Sequence, residues 1–141
     1  MTLSNPVSAV LHAFVGWVFC AATMGIGMAT TSLQNALVIH AVAAPIIFSV
    51  VSLSYFKRPD SWSPLAGAIV FVVFVIVVDF FLVALVINRS LEMFTSLLGT
   101  WIPFGLIFAS TYVTGLGRIY RSRVSNSRSA AKPAAAPDGC R

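Results

Sequence analysis

The chain has 141 residues, of which 58% are hydrophobic and only 9% charged, and its mean hydropathy is +0.92. Soluble domains carry about 25% charged residues, and a water-soluble core cannot absorb this much apolar surface. The net charge of +5 lies almost wholly outside the apolar stretches, so it bears on membrane orientation and excludes nucleic acid as the expected partner.

Crossing about 30 Å of hydrocarbon as a helix takes about 20 apolar residues. Four stretches of that size predict spans near 7–29, 33–56, 65–87 and 100–120. The first eleven residues hold no Lys or Arg, the apolar run passes Ala22, and Phe19 is too bulky to precede a lipoprotein-type Cys20. The segment therefore reads as a retained first helix and not a signal peptide. On it, His12, Gly16, Cys20, Thr23, Gly27, Thr30 and Thr31 recur every three or four residues, and Ala21, Gly25 and Ala29 form a second row of small residues. Such faces let helix backbones approach closely, so a packing face is favoured over a polar path. Cys20 and Cys140 fall on different units with no paired spacing, which excludes a disulfide framework.

Thr30-Thr31-Ser32 makes a tight first turn. The second span holds His40, and also Pro45, which cannot donate to the Ala41 carbonyl and predicts a kink. After the polar turn Lys57-Arg58-Pro59-Asp60-Ser61, Ser63 can cap the third helix with Pro64 at its first position. Asn88 to Gly99 forms the third connection, where Leu91, Phe94 and Leu98 recur at helical spacing and predict a segment on the membrane surface. Asn88-Arg89-Ser90 matches a glycosylation acceptor, but three residues at a helix end are too short a match to use. Arg89 and Glu92 form a candidate outer polar cluster beside Gln34 and Asn35, although their spacing is that of an ordinary surface pair. Thr100 can cap the last helix, with Pro103 in its first turn. Gly105 and Ala109, with Ser110, Thr111 and Thr114, repeat the small-residue pattern. From Ser122 onward the Ser, Ala, Pro and Arg composition predicts a disordered tail, suited to anionic lipid headgroups.

Basic residues set the orientation. Lys57, Arg58, Arg118, Arg121, Arg123, Arg128, Lys132 and Arg141 flank one side of the spans and Arg89 alone the other, which predicts both termini inside. Tyr55, Trp62 and Tyr120 are expected at the inner interface and Trp101 at the outer one.

Asp79 is the most informative position, because a carboxylate inside an apolar span costs about 2.5 to 3.5 kcal/mol to insert. Counted at 1.5 Å per residue, His40 lies near the same depth and is the expected partner, as an interhelical clasp, an ion pair, a proton-relay step or part of a metal site. The clasp is favoured, since Val72, Val75, Ile76, Leu82, Val83 and Val86 on Asp79's face are all apolar and a conduction path needs polar groups at several depths. A haem between His12 and His40 fails by roughly 12 Å of depth, and His12 reads as a hydrogen-bonded packing residue. No phosphate loop, nucleophile elbow or metal-spaced Cys/His cluster is present, so no catalytic residue, cofactor or metal is expected.

These features define an all-α fold class, an integral membrane four-helix bundle (1–121) with both termini inside and a disordered basic tail (122–141). In size and hydropathy the chain resembles small four-span bacterial membrane proteins, which implies a multi-pass protein of the bacterial inner membrane. The expected function is that of a non-enzymatic subunit or accessory protein acting through helix contacts, with the lipid bilayer, a second copy or another membrane subunit as partner. The alternative is a small oligomeric transporter or proton-coupled carrier using Asp79 with His40 as a protonatable site.

Overall fold

The computed structural model of the protein describes residues 5–59, 61–82 and 97–131. Among the described residues there are four α-helices and no strand: α1 (Asn5–Thr30), α2 (Leu33–Phe56), α3 (Pro64–Val78) and α4 (Ile102–Ala131). With α3 continued to Leu82 in a wider turn, all four are long and apolar enough to cross a membrane.

Local chemistry starts α2 and α3, at Ser63 as the sequence predicts and also at Ser32. The Ser32 hydroxyl accepts from the Asn35 amide, and the Ser63 hydroxyl accepts from the Ala66 amide with Pro64 at the first helical position. Thr31 and Ser32 alone separate α1 from α2, so the two must run antiparallel as neighbours. α2 passes through Pro45 as one continuous helix, and the Pro45 carbonyl is taken by the Ser49 hydroxyl at 2.7 Å.

The helices occupy four corners. α1 and α4 each lie beside both α2 and α3, so that α2 and α3 face each other across the diagonal. That diagonal is filled by rings: Phe48 and Tyr55 of α2 meet Phe71 of α3 at centroid separations of 6.2 and 5.5 Å. Phe48, Tyr55 and Phe71 are essentially fully buried. Such large side chains need bare backbone opposite. A methyl group added at Gly16 would lie 2.9 Å from the Phe48 ring, and one at Gly115 would lie 2.7 Å from Pro64 and 3.0 Å from Phe56. Small residues on α1 and α4 thus make room for aromatic residues on α2 and α3.

The outer surface reverses the pattern of a soluble bundle. α1 buries Ser8, Ala9, Ala13, Gly16, Cys20 and Gly27. It leaves Phe19 58% and Ile26 65% exposed, and Val42, Ile46 and Val50 of α2 are about as open, at 60%, 61% and 60%. Large apolar side chains pointing outward on every helix are at home in hydrocarbon and not in water.

Two expectations are corrected. Thr100 does not cap the last helix; it is buried inside a π-helical turn, Leu97–Trp101, that leads into α4. The tail is not unstructured from Ser122, because α4 runs on to Ala131, carried by the helix formers Arg121, Arg123, Arg128, Ala130 and Ala131. Tyr55 packs inside the bundle in the last turn of α2: it is 1% exposed, and its hydroxyl accepts the Trp62 amide at 3.1 Å. Residues 83–87 of the third predicted span, the surface segment at 88–96, and residues 132–141 lie outside the described residues.

Candidate functional site

α1 and α3 run parallel as neighbours, and the repeat Gly67, Phe71, Val75, Asp79 keeps one face of α3 turned inward. At the end of that face the helix loosens. The Asp79 amide is shared between the carbonyls of Val75 and Ile76, and residues 79–82 take the wider π-helical spacing. Single π turns recur at functional sites because they re-aim a side chain without ending the helix.

The Asp79 carboxylate is aimed at α1. Trp17 Nε1 donates to Asp79 Oδ1 at 2.7 Å, joining the two helices. The indole is held in place by aromatic neighbours: Phe14, one turn earlier, stacks on it at 6.1 Å, and Phe74 of α3 meets Phe14 edge-on at 6.5 Å. Both partners need this bond, since hydrocarbon offers neither an acceptor for an indole N–H nor a donor for a carboxylate. Cys20, one turn above Trp17, is buried within electrostatic range of Asp79.

The expected His40–Asp79 clasp is therefore corrected. Among the described residues Asp79 takes its hydrogen bond from Trp17, and none joins it to His40. His40 instead turns toward the backbone of α1 at Cys20, and its Nδ1 is buried without a hydrogen-bond partner among the described residues. Depth alone placed His40 beside Asp79, but α2 and α3 stand on opposite corners while α1 is the neighbour of α3. Arg89 and Glu92, the candidate outer cluster, lie outside the described residues.

Of the remaining polar groups of α1, the Ser8 hydroxyl accepts from Arg58 Nη1 at 2.8 Å and the threonines are satisfied locally. The hydroxyls of Thr23, Thr30 and Thr31 donate to the carbonyls of Phe19, Ile26 and Gly27, four residues back in their own helix. His12 Nδ1 lies 2.7 Å from the Ser8 carbonyl, and the ring packs edge-on against Tyr55 at 5.7 Å, as a packing residue would. Among the described residues no group of three His, Cys, Asp or Glu side chains is placed to share a metal ion.

The chain matches no protein-family model, no curated protein and no solved structure. Its site is thus defined by geometry alone, as one indole–carboxylate bond between two helices with an unpartnered imidazole nitrogen on a third.

Proposed function

We propose that the protein is a multi-pass membrane protein, with both termini on the cytoplasmic side, that serves as a non-enzymatic subunit or accessory component through helix contacts in the bilayer. The observation that carries the reading is the apolar exterior: Phe19, Ile26, Val42 and Ile46 turn outward, while α1 turns small residues inward. Trp17–Asp79 acts in it as a structural clasp between α1 and α3. Its offset of the Asp79 insertion cost explains why a carboxylate stands among valines. The bacterial inner membrane is the proposed location, on the bias of basic residues toward one side.

The contact surface for a partner helix is the row Ala21, Gly25 and Ala29. All three are exposed, and nothing lies within 4 Å of the position a Gly25 methyl would take. Small residues left outside an otherwise large-residue exterior allow a second transmembrane helix to approach closely. Crosslinking through a cysteine at Ala22 in native membranes tests this: a discrete crosslinked species supports the reading, and only scattered background crosslinks count against it.

A second reading, a proton-coupled carrier centred on Asp79, is favoured by two observations, the π turn at Asp79 and the unpartnered Nδ1 of His40. The substitution Asp79→Asn separates the two. Asparagine still accepts from Trp17, so a clasp survives it, whereas a carrier that must bind and release a proton there does not.

A further inference from the structure

The end of the bundle where α2 hands over to α3 holds a groove of about 400 Å³ that the clasp does not involve. One wall is the turn leading into α3, with Ser61, Trp62 and Ser63; the other is α4, with Arg118, Arg123 and Asn126. Arg118, Ser122 and Asn126 repeat every four residues, so the continuation of α4 past Tyr120 is what brings Arg123 and Asn126 alongside the turn. The floor is apolar, formed by Phe56, Pro64 and Ile119.

Among the described residues, the charged groups lining this groove are both basic. None of the described residues lining it is acidic, and Arg118 Nε is buried with no hydrogen-bond partner among the described residues. A buried guanidinium N–H without an acceptor is costly, and the ligand that relieves it is an acceptor-rich anion. Arg58 does not line the groove, and donates to the Ser8 hydroxyl at 2.8 Å. The amino-terminal end of α3 adds its partial positive charge, and serine and asparagine side chains supply neutral donors. Two guanidinium groups, a helix start and hydroxyls above an apolar floor match a phosphate joined to a hydrophobic body.

We propose that this groove binds the phosphate headgroup of an anionic membrane phospholipid, with Arg118 and Arg123 on the phosphate and Trp62, Phe56 and Ile119 against its glycerol and upper acyl chains. The assignment rests on the membrane reading above, and narrows a general attraction of basic residues for anionic lipid to one site. Loss of one charge-assisted hydrogen bond lowers affinity about tenfold.

Native mass spectrometry of the full chain, released from detergent in the presence of phosphatidylglycerol or phosphatidylcholine, tests it. Wild type retains phosphatidylglycerol in preference to phosphatidylcholine. Arg123→Gln lowers that retention about tenfold, while Arg121→Gln, which removes the same charge two residues away and outside the groove, leaves it unchanged. Arg118→Gln is expected to match Arg123→Gln; where Arg118→Gln does not fold, the exposed Arg123 carries the comparison. Equal loss in Arg121→Gln and Arg123→Gln would overturn the proposal, because the attraction would then be that of the net charge. Competition by glycerol phosphate as strong as by the lipid would also overturn the lipid assignment, and would identify the ligand as a soluble phosphate compound. Chain recovered without detergent would defeat the membrane reading, independently of whether Arg123 is needed for phosphate binding.

Discussion

The indole of Trp17 and the carboxylate of Asp79, 62 positions apart in sequence, meet in a 2.7 Å hydrogen bond between the first and third helices. Each residue removes from contact with lipid the one group that the other cannot leave exposed. A double-mutant cycle on Trp17→Phe and Asp79→Leu, read by thermal unfolding in detergent, should give a coupling of about 0.6 to 1.7 kcal/mol, the range of such bonds between membrane helices. Additive effects would mean that the two side chains do not stabilise each other.

Asp79→Asn should leave expression, assembly and stability close to wild type, because the amide oxygen still accepts from Trp17. Asp79→Leu should lower stability by about 1 to 3 kcal/mol, the cost of a buried donor left without an acceptor. Equal damage from both substitutions, measured as yield of folded protein by size-exclusion chromatography, would assign Asp79 a structural role that needs the carboxyl group itself and would contradict the clasp.

Gly115 and Gly117 make an internal control for helix packing. An alanine methyl at Gly115 would lie 2.7 Å from Pro64, whereas at exposed Gly117 it would meet nothing within 4 Å. Gly115→Ala should lower stability by about 1 to 3 kcal/mol through overpacking against a rigid ring, partly offset by alanine's better helix propensity. Gly117→Ala should be neutral or slightly stabilising. A thermal shift of equal size and sign for both would refute the close approach of α3 and α4.

The carboxyl-terminal extension of α4 makes a separate prediction. Spin labels placed singly at 122–128 should report a helical alternation, with least motion at half-buried Val124 and most at exposed Ser125 and Ser127. Uniformly fast motion at all positions would return this segment to the unstructured state that its composition implies.

Much of the fold was legible in the residues because lipid imposes a coarse and strict code. Spans of about 20 apolar residues, Ser63 as a cap, and the small-residue face Gly16, Cys20 and Gly27 all stand where periodicity and capping chemistry put them. The continuation of α4 was hidden because polar helix formers such as Arg123 and Arg128 carry no apolar period when their helix leaves the core. The candidate site was half legible. Asp79 announces itself by its cost in lipid, but choosing its partner by depth selects His40 and misses which helices are neighbours. Trp17 carried a usable signal: an indole N–H in the middle of an apolar span needs an acceptor as much as Asp79 needs a donor.

The central claim, that hydrocarbon is the solvent for the outward faces of α1 to α4, is tested most directly by alkaline extraction of membranes from cells expressing the full chain, followed by transfer to detergent. The account predicts that the protein stays with the lipid pellet through the alkaline wash and enters solution only when detergent is added. Release by the wash into a monodisperse, detergent-free fraction would contradict it.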